Sequence, residues 1–108
     1  MQHRPTISTC TTTLKLLADF WNLRIIEGLA TGPQRFCELQ RLLNGVNPAT
    51  LTKKLSVLET AKLITRTTED GEHHVVYTLT PTGTRSLPVL AAIEKFSAGY
   101  EGAPTHPA

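Results

Sequence analysis

The stretch Asn47-Pro48-Ala49-Thr50-Leu51-Thr52-Lys53-Lys54-Leu55-Ser56-Val57-Leu58-Glu59-Thr60-Ala61, continuing through Lys62 into Leu63-Ile64-Thr65-Arg66-Thr67-Thr68, contains a change of period. In its first part Leu51, Leu55 and Leu58 recur at helical spacing and share one face. Asn47 is a good helix cap, and Pro48 suits the first helical position, where a missing N–H costs nothing. In its second part β-branched residues crowd together, which favours a strand. Further on, Val75, Tyr77 and Leu79 alternate with Val76 and Thr78 as a second strand. Between the strands, Glu69-Asp70-Gly71-Glu72 carries the Asp-Gly pair of a hairpin turn.

Once the leucines are committed to a core, the opposite side of the helix is decided. A helical wheel puts Ala49, Thr52, Lys53 and Ser56 there, with Thr50 and Lys54 at its margins. This face is small, hydroxylic and cationic. It can approach base edges closely while its Lys and Thr side chains reach phosphates, although an ordinary solvated helix could present the same residues. Local charge favours the first reading. Across 41–68 the cations are Arg41, Lys53, Lys54, Lys62 and Arg66, against the single acid Glu59, in a chain whose net charge is only +2.

Working outward, Phe36, Leu39 and Leu43 give a helix over 35–43, closed by Asn44-Gly45. Leu14, Leu17, Trp21, Ile25 and Leu29 continue helical periodicity upstream, with a break near Asp19 and Asn22, until Thr31-Gly32-Pro33 stops it. Thr80-Pro81 opens a last helix expected to reach Tyr100, bent over 84–88 by Pro88. Its apolar stripe is Leu87, Leu90, Ile93, Phe96 and Tyr100. On so small a domain that stripe has little else to bury against than a second copy. Residues 1–9 are expected to be a flexible arm, 10–100 one folded domain and 101–108 a flexible tail.

At 108 residues the chain is one domain, with 40% apolar and 19% charged residues, which excludes a disordered or fibrous polymer. It carries neither a bilayer-spanning run nor a secretory leader, so the expected location is the cytoplasm, at the nucleoid. Two cysteines make no disulfide framework. No nucleophile–base set, phosphate-cradling glycine loop or paired carboxylates support catalysis, and no cofactor is expected. Adjacent His73 and His74 on a strand point to opposite faces, which suits phosphate contact or solvent better than a shared metal.

Two short helices joined by a tight turn and followed by a hairpin make a winged helix-turn-helix: mainly α, with a small β-hairpin and an additional C-terminal dimerisation helix. The series Trp21 with Leu23, Ile25 and Ile26, then Arg35-Phe36-Cys37-Glu38-Leu39, Leu51-Thr52-Lys53-Lys54-Leu55 with Leu58-Glu59, Leu63-Ile64-Thr65-Arg66, and Tyr77-Thr78-Leu79-Thr80 with Gly83 resembles the HxlR family of bacterial transcriptional regulators. The resemblance covers about residues 10–100. It implies a homodimer on a two-fold symmetric operator, most simply as a repressor, with dimerisation through the first and last helices. The interface would then take Leu14, Leu17, Leu87, Leu90, Ile93, Phe96 and Tyr100. It also implies that Cys10, near the N-terminus, is a candidate redox or electrophile sensor, so the effector would be an oxidant or a small molecule. The chain departs from the family pattern at Ala18-Asp19-Phe20, where Gly-Gly-Lys is usual. Lys62 stands where Gly is usual, and Glu72-His73-His74 where two prolines are common.

The expected DNA contacts are Arg35, Ala49, Thr50, Thr52, Lys53, Lys54, Ser56, Arg66 and His73 on double-stranded DNA. Glu69, Asp70 and Glu72 oppose phosphate at the hairpin tip, so the hairpin either stands off or contacts DNA through Arg66 and the histidines. That acidity also leaves open a winged-helix protein–protein module with weak or no DNA binding. A third reading is a ligand- or metal-sensing regulator of the ArsR or PadR type.

Overall fold

The computed structural model describes residues 7–69, 74–100 and 102 of the chain. Among the described residues, six helices and one hairpin follow in the order α1 (Ile7–Leu17), α2 (Phe20–Leu29), α3 (Phe36–Leu42), α4 (Pro48–Thr60), β1 (Ile64–Glu69), β2 (His74–Leu79), α5 (Pro81–Thr84) and α6 (Leu87–Ala98). This is the mainly helical, winged arrangement expected. The first helix opens at Ile7, three residues inside the stretch read as an arm. The hairpin tip and, apart from Gly102, the expected tail lie outside the described residues, and so does His73.

Polar residues separate α1 from α2. Asp19 is extended and caps α2 by accepting the Asn22 N–H at 3.0 Å. Behind it the buried Asn22 donates its side-chain amide to the Leu16 carbonyl at 2.9 Å, fastening the end of α1. Ile25, Ile26 and Leu29 of α2, Leu39 and Leu43 at α3, and Leu51, Leu55 and Leu58 of α4 meet in one core with Val46, Leu63, Ile64 and Tyr77. Trp21 packs partly buried against it, edge-to-face with Phe20 at 5.0 Å between ring centres.

The helices α3 and α4 end in the same way. After α3, Asn44 takes a φ of 56° and the Gly45 N–H returns to the Gln40 carbonyl. After α4, Lys62 takes a φ of 64°, its N–H reaches the Glu59 carbonyl, and the Leu63 N–H reaches that of Leu58. This double closure is the Schellman motif, which favours glycine at the left-handed residue. At Lys62 the chain uses a residue with a Cβ instead, at a cost of roughly 1–2 kcal/mol.

The strands pair antiparallel in unbroken register from Ile64↔Leu79 to Glu69↔His74. Gln34 adds a single bridge to the outer edge of β2, exchanging both backbone hydrogen bonds with Tyr77 at 2.8 and 3.0 Å. One residue leaves no period to read, so this third edge has no signature in the sequence. Thr80 then locks α4, the hairpin and α5 together. Its N–H donates to the Leu63 carbonyl, its hydroxyl donates to the Lys62 carbonyl at 2.7 Å, and that hydroxyl accepts the Gly83 N–H at 2.9 Å.

The last helix is two helices rather than one bent helix. Arg85 and Ser86 separate α5 from α6, and the buried Ser86 hydroxyl bonds the Gly83 carbonyl at 2.6 Å. Pro88 therefore sits in the first turn of α6, where its missing N–H breaks no helical bond. A kink inside one helix would have cost such a bond; a fresh start does not.

Gly83 lies against this lock. A Cβ built there would stand 2.0 Å from the Leu63 carbonyl oxygen. Gly83→Ala is expected to lower stability by about 2–4 kcal/mol in urea unfolding, because backbone rather than a flexible side chain must move.

Candidate nucleic-acid interface

The α4 helix is positioned from both ends. At its start Asn47 Oδ1 accepts the N–H groups of Ala49 at 2.8 Å and Thr50 at 3.2 Å. At its finish the closure at Lys62 turns the chain straight into β1. Between them Leu51, Leu55 and Leu58 are fully or almost fully buried. The opposite side is open: Ala49, Thr52, Lys53 and Ser56 are exposed, and Thr50 is half-buried at the margin. Val57, one turn beyond Lys53, is also exposed, at 42%, and adds an apolar group to an outward surface read as polar.

The two adjacent lysines have different surroundings. Lys53 is exposed and makes no ion pair among the described residues. Lys54 is drawn inward, where its Nζ donates to Asp19 Oδ2 at 2.6 Å, with both side chains about three-quarters covered. The sequence placed Lys54 among the phosphate contacts. The structure ties it to the cap of α2, thirty-five residues away in sequence. Burial raises the Asp19 carboxyl pKa, but the hydrogen bond from Lys54, the Asn22 N–H and the Lys54 charge outweigh it and hold the group below the ordinary carboxylate range.

Arg35 caps α3 from an extended conformation. Its backbone N–H donates to the Glu38 carboxylate at 2.8 Å and its side chain is exposed. Arg66 is exposed on β1, opposite Tyr77. It shares a shallow depression of about 470 Å³ with Lys62, Glu59, Ile64, Thr65, Thr80 and Thr82. In the sequence Lys62 contributes only to the local charge, because it is the left-handed turn that carries it around to the β1 side. His74 opens β2, half-buried.

The structure separates the expected interface residues. Leu17, Leu87 and Leu90 pack partly buried against their own core, while Leu14, Ile93, Phe96 and Tyr100 are 46–66% exposed. The Phe96 and Tyr100 rings lie 4.9 Å apart. Cys10 lies within α1. Cys37 is a free, exposed thiol in the first turn of α3. Among the described residues no cluster of His, Cys, Asp or Glu is arranged to hold a metal ion, and no helix is long and apolar enough to cross a membrane.

A helix pair, an outward-facing second helix and a following hairpin define the domain, and residues 16–104 match the HxlR-like helix-turn-helix model. The chain belongs to the HxlR-like helix-turn-helix family. It is 32% identical over 81 residues to the HTH-type transcriptional regulator YtfH of Escherichia coli, a match that covers 74% of this chain and 64% of that protein. The HxlR-like chain thus spans under two thirds of the length of the curated relatives it matches. Among solved structures, the transcriptional regulator YtfH of Salmonella typhimurium is 30% identical with a TM-score of 0.70, over 81% of this chain and 79% of that one. The quinone-bound form of YodB from B. subtilis is 26% identical with a TM-score of 0.77, over 88% of this chain and all of that one.

The Asp19–Lys54 pair gives this HxlR-like domain a defined acid response. Asp19 has a lowered folded pKa, so its contribution is present in full above the unfolded pKa and is lost as pH falls through the folded one. Asp19→Asn keeps a capping oxygen but has no charge to lose. Its melting temperature is expected to fall less steeply than that of the wild type below about pH 4.

Proposed function

We propose that this chain is a homodimeric transcriptional regulator that binds double-stranded DNA through α4 and represses by occupying a two-fold symmetric operator. One observation carries the reading: the buried leucine stripe of α4 leaves the small Ala49, Thr52 and Ser56 facing outward with Lys53, bordered by the exposed Val57. Small side chains let the helix backbone approach base edges, and Lys53 is the cation nearest the middle of the face. Arg35, Arg66 and Lys62 are exposed around it and supply phosphate contacts. The function is recognition, with no catalytic step.

The second copy is held by the exposed α6 face and Leu14 of α1. The regulatory arm is an oxidant or electrophile acting on Cys10, a reading supported by the similarity to YodB, which has been seen both quinone-bound and diamide-treated.

Lys53→Ala tests the reading helix on a duplex selected by the wild-type protein from a random pool. A base-edge contact predicts a loss of about 1–3 kcal/mol on that duplex and little on mixed sequence. A phosphate contact predicts a loss shared by all sequences and a salt slope lower by about one. Unchanged binding on both would remove α4 from the groove and leave the protein-interaction reading. For the dimer, light scattering is expected to give twice the 11.8 kDa chain mass, and Phe96→Asp to shift it toward the monomer while weakening DNA binding. For the sensor, diamide is expected to lower the DNA affinity of the wild type but not of Cys10→Ser; an equal loss in both would end that role.

A further inference from the structure

The two oxygens of Asp19 have separate tasks. Oδ1 accepts the Asn22 N–H and caps α2, while Oδ2 accepts the Lys54 ammonium at 2.6 Å. Lys54 stands on α4 directly beside Lys53, at the margin of the exposed face, and its stem is long enough to lay the ammonium on either side of that margin. What turns it inward is a carboxylate on another helix. For Lys54, that carboxylate occupies the role a backbone phosphate would otherwise take.

We propose that Asp19 is a positioning residue that withholds Lys54 from the DNA backbone and so limits the sequence-independent part of the binding free energy. The inference rests on the DNA-binding reading of α4 above. A lysine free to pair with phosphate displaces about one counterion and adds affinity for any sequence. Held by Asp19, Lys54 adds none, and Lys53 is left as the cation that α4 presents. An aspartate is ionised at neutral pH, so the restraint is in place there. The pair also ties the reading helix to the start of α2, so the charge that is withheld fixes the helix that reads.

Asp19→Asn separates the tasks. Asparagine is as good a cap as aspartate, so Oδ1 retains the Asn22 N–H. In place of Oδ2 it presents an amide N–H₂, which cannot accept from an ammonium, and Lys54 is released. The experiment is a salt titration of full-length protein on a fluorescently labelled duplex of mixed sequence, about 30 base pairs long. Wild type, Asp19→Asn, Lys54→Gln and the double variant are compared, each checked for a cooperative melt. Asp19→Asn is expected to bind more tightly at low salt, with a log–log salt slope steeper by about 0.9. Its advantage over wild type then shrinks about 3.5-fold between 50 and 200 mM salt. Lys54→Gln is expected to match the wild-type slope, and the double variant to lose the increment.

A slope for Asp19→Asn equal to that of the wild type overturns the proposal while leaving DNA binding intact. So does an increment that survives in the double variant, since it would come from removing a nearby negative charge rather than from Lys54. If neither wild type nor Asp19→Asn binds any duplex, the DNA-binding reading fails and this inference fails with it. If only Asp19→Asn binds, the restraint is stronger than one contact and the proposal stands. Asp19→Glu, which keeps the charge, is expected to stay near the wild-type slope.

Discussion

Leu51, Leu55 and Leu58 can be buried only along one side of α4, and that requirement organises the molecule. Each is worth roughly 1.5–3 kcal/mol when removed from water. Against them stand Ile25 and Ile26 of α2 and Leu39 of α3, all with no exposed surface. Rotating α4 about its axis would expose the leucines and bury Lys53, so the helix has one permitted orientation. Its outer face is therefore presented rigidly, without a loop to order on binding. The small residues at 49, 52 and 56 fold no better there than larger polar ones would. Their placement makes sense as access to something that must come close.

Around that helix the fold spends its polar groups on joints. Asp19 and Asn22 join α1, α2 and α4; Thr80 joins α4, the hairpin and α5; Ser86 holds the joint between α5 and α6. Each polar side chain bridges elements that apolar contact alone would leave free to slide. The outer face of α4 and the exposed α6 face are thus connected through short, directional bonds at the element ends. Their relative placement depends on a handful of residues outside both surfaces.

The fold was largely legible because its signals are periodic. The leucine spacing gave α4 and its face, and the β-branched run gave the hairpin. What the sequence could not show depended on distances across the chain. Nothing near Lys54 reveals that an acid thirty-five residues earlier takes its charge. Nothing near Gln34 reveals a strand edge beside it. From the sequence the last helix reads as continuous, because Pro88 is equally compatible with a kink and with a first turn. The buried Ser86, a tertiary fact, decides between them.

Lys62 holds a backbone shape that glycine would adopt without strain, and its side chain lines the same depression as Arg66. Stability and charge therefore pull in opposite directions at this position. Glycine would recover about 1 kcal/mol, a noticeable share of the 5–15 kcal/mol that holds a typical domain together, and would delete one of the two cations in the depression. A population of variants selected for thermal robustness alone would drift to glycine here and would grow steadily more heat-resistant while its surface lost positive potential. The lysine marks a place where the folded chain sits above its attainable energy minimum and keeps a charge in return.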